Sequence, residues 1–148
     1  MKKRSDACVA IFERIKAHKS TMGIKTFRKT PTDQAKIEEL PICFMLYGSD
    51  NIIKRSSRSV ATYNGVNGNM RSLEVIFELV ANKQDDVLAI FEKLRAAIFV
   101  DVHPLKKLDG SIDPTTFIME ERTEGPVGYG LPDIEAMNFI INLVYLDE

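Results

Sequence analysis

Apolar and polar residues alternate through the middle of this chain and then change period. From Arg71 to Ala81 the sequence reads RSLEVIFELVA, which puts Leu73, Val75, Phe77 and Leu79 on one face of a strand and Ser72, Glu74 and Glu78 on the other. Asn82 to Asp86 break the alternation. The next run, DDVLAIFEKLRAAIF, has helical spacing, with Val87, Leu88, Phe91, Leu94 and Ile98 as its buried stripe and Asp85 or Asn82 as its cap. The closing segment EAMNFIINLVYLDE is apolar and rich in β-formers, and predicts a last strand over 135–146. Together these stripes predict one core containing Leu73, Val75, Phe77, Leu79, Phe91, Leu94, Phe139, Ile141 and Leu143.

Upstream, Cys8, Ile11, Phe12 and Ile15 repeat at helical spacing, which predicts a first helix capped by Ser5 or Asp6 and running to about Lys19. Ile24 to Lys29 reads as a charged edge strand, and Ile42 to Tyr47, apolar on both faces, as a central buried one. Residues 48–58 are polar, basic and without period, and read as a flexible loop. A short strand over 59–63 is followed by two Asn-Gly pairs in 64–69, the signal of a hairpin connection back into the long strand. Past the second helix, 101–115 reads as a loop, 116–122 as a strand, and 125–133, with three Gly and two Pro, as a second loop.

The predicted order is therefore α-β-β-β-β-α-β-β. It describes a single α+β domain over 1–148, with a mainly antiparallel (mixed) sheet and both helices packed on one face. The passage from 70 to 122 adds one crossover, right-handed if its strands are parallel.

Composition narrows the classes. A chain of 148 residues that is 45% hydrophobic can build a core without a disulfide or a metal. Cys8 and Cys43 lie in apolar runs, as free thiols or as one disulfide. No apolar run is long enough for a membrane helix, and MKKR leads into a charged amphipathic segment instead of a signal sequence, so synthesis in the cytoplasm is expected. The net charge of −1 hides an asymmetry: residues 1–74 hold 14 Lys+Arg against 7 Asp+Glu, and residues 75–148 hold 6 against 14. Either the halves interleave into a mixed surface, or they form opposite poles suited to head-to-tail association.

Catalytic patterns are missing. His18 and His103 have no Cys, His or carboxylate at ligand spacing, and GPVGYG lacks the Lys-Ser/Thr ending of a phosphate loop. Glu120, Glu121, Glu124, Asp133 and Glu135 gather around the Gly/Pro segment and read as a solvated or interface-facing acidic rim. Lys54, Arg55 and Arg58 form a basic loop that reads as solvated or partner-contacting, since a pI near 6.2 is no nucleic-acid footprint. No catalytic, cofactor-binding or metal-binding residue is assigned, and the chain is not expected to be an enzyme.

The layout resembles the tail terminator (tail completion) proteins of tailed bacteriophages, the lambda-type minor tail proteins and their tail-to-head joining relatives. The features that carry it are AIFERIKAH, PICFMLYG before a polar loop, SLEVIFELVANKQDDVLAIFEKLRAAIFVD, the acidic FIMEERTEG, a Gly/Pro loop and the closing NFIINLVYL. The resemblance implies a structural virion protein that assembles as a homohexameric ring at the head-proximal end of the tail. Its implied partners are its own copies, the tail-tube protein, a sheath where one is present, and a neck or head-completion protein, with DNA passing through the lumen unrecognised and no membrane or cofactor involved. Terminator, neck and head-completion roles all remain open. The expected contact residues are Lys54, Arg55, Arg58, Asn64, Asn67, Glu120, Glu124, Tyr129 and Asp133. The alternative is a small-molecule-binding or regulatory α+β domain with an apolar pocket beneath the Gly/Pro loop.

Overall fold

The computed structural model describes residues 2–29, 37–53, 60–63, 66–105, 113, 115–128, 130 and 132–147. Helix α1 spans Lys2–Met22 and α2 spans Val87–Ile98; the strands are β1 Thr26–Arg28, β2 Ile42–Ile52, β3 Val60–Tyr63, β4 Val66–Asn82, β5 Phe117–Gly128 and β6 Ile134–Asp147. The sheet order is β1-β2-β4-β6-β5, with β3 paired to β4 beside this path. β1 runs parallel to β2 and every other pairing is antiparallel. This is the α+β fold and the element order that the hydrophobic pattern predicts. β4 and β5 run parallel with β6 inserted between them, so the passage through α2 does cross over.

Both helices lie on one face of the sheet. Ala7, Cys8, Ile11 and Ile15 of α1 and Val87, Ile90, Phe91, Leu94 and Ile98 of α2 meet Cys43 and Met45 of β2, the odd-numbered residues of β4, and Phe139, Ile141 and Leu143 of β6. Every predicted core residue belongs to this cluster. Phe139 sits at its centre, 5.3 Å from the Phe91 ring and 6.1 Å from Phe99, both edge-on. The opposite face carries two smaller apolar clusters, one around Ile42, Phe44, Val80 and Ile134, the other around Met70, Val144 and Leu146. That explains why β2 and β6 are apolar on both sides.

Several boundaries differ from the pattern, each for a stated reason. α1 begins at Lys2, with Ser5 and Asp6 inside it, because Lys3 and Arg4 are tied to Asp113 and Asp50 of the body. It ends in a Schellman turn: Gly23 at φ +87, with Gly23 N–H on the Ser20 carbonyl (3.2 Å) and Ile24 N–H on the Lys19 carbonyl (2.9 Å). α2 is capped by Asp86, whose carboxylate accepts from Ala89 N–H at 3.3 Å; Asn82 closes β4 and Asp85 lies in a one-turn 3₁₀ segment. Leu88 is half exposed and Ile90 takes its place in the stripe. Tyr63 pairs with Val66, so only positions 64 and 65 join the two strands, and Asn67 lies within β4 opposite Thr62.

The larger corrections concern the two predicted loops. β2 continues through Gly48 to Ile52, where a flexible loop is expected, because Asp50, Asn51 and Ile52 pair with Leu73, Ser72 and Arg71 after a register slip. Residues 54–58 of that loop lie outside the described residues. β5 runs on to Gly128 across a cis Gly125-Pro126 bond, with register shifts at Glu121 and again between Glu124 and Val127. Gly125 is required there: it has φ +97, and a Cβ would lie 2.8 Å from the Ala136 carbonyl oxygen. Cys8 and Cys43 are both free and buried. No described helix is long and apolar enough to cross a membrane.

Candidate functional site

The sheet order sorts the chain's charge. β1 and β2, from the basic half, form one side of the sheet, and β6 and β5, from the acidic half, form the other. Lys25, Arg28 and Lys29 flank or occupy the β1 edge. Lys25 Nζ donates to the Glu38 carbonyl, Lys29 lies over the Phe12 ring at 4.9 Å, and Arg28 pairs with Glu39 at 3.2 Å. Glu120, Glu121 and Glu124 occupy the β5 edge with Arg122 as the single cation between them. From Met119 to Gly128 every β5 residue is exposed, and Met119 and Val127 are more than half exposed. Among the described residues the β1 edge is mainly basic and the β5 edge mainly acidic, with Glu39 beside Arg28 on the one and Arg95 and Arg122 beside Glu120 and Glu121 on the other.

Glu120 and Glu124 stand on different faces. Glu120 lies opposite Ile141 on the helix side and pairs with Arg95 of α2 at 2.7 Å. Glu124 lies opposite Asn138, and Asn138 opposite Glu78, so an acid–amide–acid row crosses β5, β6 and β4 on the helix-free face. This row lines a groove of about 370 Å³ with Gly125, Val127, Gly128 and Ala136. Burial pushes the Glu78 carboxyl above its ordinary range, and the Asn138 Oδ1 atom is buried without a hydrogen-bond partner among the described residues. Further along the same face Arg122 lies 2.9 Å from Glu121 and 3.8 Å from Glu74. The groove beneath the Gly/Pro segment thus holds two carboxylates, Glu78 and Glu124, among small and apolar residues. The more apolar hollow, about 530 Å³, lies between the helices, against Met22, Ala96, Ala97 and Val100.

The other expected contact residues fall elsewhere. Asp133, exposed and at φ 63, stands just before β6, and its carbonyl accepts from Lys83 N–H at 2.8 Å. Asn67 is placed by its backbone alone, and Lys54, Arg55, Arg58, Asn64 and Tyr129 lie outside the described residues. Among the described residues no group of three or more His, Cys, Asp or Glu is arranged to hold a metal ion.

Sequence reasoning misses two polar knots that hold α1 against the sheet. In the first, Asp50 accepts from Arg4 (2.9 Å), from Arg71 (3.2 Å) and from the buried Tyr145 hydroxyl. Burial, reinforced by Asp50, pushes the Tyr145 phenol up to about 12. In the second, Asp113 accepts from Thr115 and Thr116 and pairs with Lys3 at 3.2 Å, while Arg14 donates to the carbonyls of Ile98 and Asp101. Through these contacts Asp101, just past the end of α2, and Asp113 are both tied to α1. The only sequence signal is a pair of isolated aspartates in polar stretches, which is too common to single out.

At the level of sequence, no protein-family model and no curated protein matches the chain. Its fold is shared with a chain of a solved structure described as the virion of a native gene transfer agent (GTA) particle. The two are 10% identical, the match covers 94% of this chain and 93% of that one, and the TM-score is 0.51.

Proposed function

We propose that this chain is a structural protein of a phage-like virion, acting as a tail terminator: a hexameric ring on the head-proximal end of the tail. The observation that carries the reading is the end-to-end fold correspondence with a virion chain, over 94% of this molecule, in a protein whose element order resembles the terminator family. A fold shared over its whole length with a virion component favours a role in assembly, and the opposite charge of the two sheet edges suits the heterologous contacts that a ring uses.

The geometry is compatible with the task. A body of this length has a radius of gyration of about 15 Å and a width of roughly 35–40 Å. Six of them around a closed ring enclose a hole of about the same width, wide enough for a DNA duplex. In this reading one ring face covers the last tube ring and stops its growth, and the other meets the neck or head-completion protein. The subunit acts through its surfaces, without catalysis and without a cofactor.

Electron microscopy of particles made with and without the chain tests this. Its loss should give tails with overgrown tubes that fail to join heads. Tubes of normal length with unattached heads would move the chain to the neck, and normal tails on normal heads would end the virion reading.

A further inference from the structure

The geometry points to the β5 edge of one copy docking on the β1 edge of the next, which extends the sheet from subunit to subunit. This rests on the ring reading above and specifies its interface. Among the described residues both strands end the sheet: past Ile118, whose N–H donates to the Val102 carbonyl, the outer side of β5 has no strand partner, and neither has the outer side of β1. β1 runs with β2, and β2, β4, β6 and β5 alternate in direction, so β5 runs opposite to β1. A neighbour related by rotation about a ring axis therefore brings β1 beside β5 as an antiparallel pair, the ordinary way in which edges join.

Charge selects this pairing over the alternatives. Glu120, Glu121 and Glu124 fall within five residues of β5, and Lys25, Arg28 and Lys29 within five residues at β1. Each edge carries its charge on both faces of the sheet: Glu120 stands on the helix side and Glu124 on the other, while Lys29, over Phe12, stands on the helix side and Arg28, whose guanidinium lies over Phe44, stands on the other. Two β5 edges brought together would set acid against acid, and two β1 edges base against base. Symmetric dimers are thereby disfavoured, and head-to-tail growth that closes into a ring is favoured. The bulge at Glu121 and the Gly125-Pro126 slip limit promiscuous pairing along the rest of the edge.

Charge reversal with mixing tests the docking. One variant carries Glu121→Lys and Glu124→Lys, the other Lys25→Glu and Lys29→Glu, and circular dichroism confirms that each folds. Sedimentation at low and physiological salt then reads self-association of the wild type, of each variant and of an equal mixture. Wild type should associate more tightly at low salt; each variant alone should be weakened by about tenfold or more. The mixture should recover association, because every junction in an alternating ring again sets acid against base. Either variant associating as tightly as wild type overturns the edge docking, as does a mixture no tighter than its components. The two readings separate on isolated tails: rings built by either variant as by wild type overturn the docking alone, whereas tails that never carry the wild-type chain overturn the terminator reading while recovery in the mixture still supports the docking.

Discussion

Replacing Asp50 with alanine should destabilise the protein by about 2–4 kcal/mol. Its side chain is 12% exposed and holds three partners from three distant parts of the chain: Arg4 in α1, Arg71 in β4 and Tyr145 in β6. Both guanidinium groups remain open to water, and their loss alone would matter little. Tyr145 is different. It is 2% exposed, and without Asp50 its hydroxyl stays buried with no acceptor, which costs about 1–3 kcal/mol. The remainder comes from the end of β2, whose pairing beyond the slip at Gly48 depends on this clamp.

Urea unfolding followed by far-ultraviolet circular dichroism measures the loss. Asp50→Asn, which keeps an acceptor for the hydroxyl, should cost about half as much. Tyr145→Phe combined with Asp50→Ala should cost less than the sum of the two single changes, with a coupling of about 1–2 kcal/mol. Amide exchange supplies a second readout: Asp50 to Ile52 should be protected in the wild type and released in Asp50→Ala. A loss below about 0.5 kcal/mol would refute the reasoning and return residues 48–52 to the solvated loop that their polarity suggests.

Phe91→Ala should cost about 3–5 kcal/mol in the same assay, because Phe91 is 5% exposed and packs edge-on against Phe139; a loss below about 1 kcal/mol would contradict its place in the core. Gly125→Ala should cost about 1–3 kcal/mol, from its positive φ and from contact with the Ala136 carbonyl, seen as a lower melting temperature. Burial opposes ionisation of Asp113, but hydrogen bonds from Thr115 and the Lys3 ammonium outweigh it and hold its carboxyl below the ordinary value of 3.8. Its contribution is therefore present above pH 3.8 and is lost as pH falls through the lower folded value, so Asp113→Asn should flatten the acid limb of the stability curve. Tyr145 gives the opposite limb. Its folded value of about 12 lies above the ordinary 10, so stability should fall between pH 10 and 12, and less steeply in Tyr145→Phe.

The sequence by itself determined the periods: strand at 71–81, helix after Asp86, strand through the last residues, and which side chains of each turn inward. Period is a local property, set by backbone geometry within a few residues, so Leu73, Phe77, Phe91 and Phe139 announce their burial without any knowledge of their partners. The same locality explains the misses. Gly48 to Asn51 are small and polar and read as loop, yet the strand resumes at Asp50, which pairs with Leu73 and meets Tyr145, 95 residues away. Gly125-Pro126 reads as a break, yet β5 continues across it because β6 supplies a ladder that absorbs two register shifts. Only the tertiary structure decided the strand order β1-β2-β4-β6-β5, and with it the separation of the basic and acidic halves to opposite sheet edges. A sequence records how much charge each half holds; long-range pairing decides where that charge is presented, because the free energy of a strand pair resides in contacts between residues far apart along the chain.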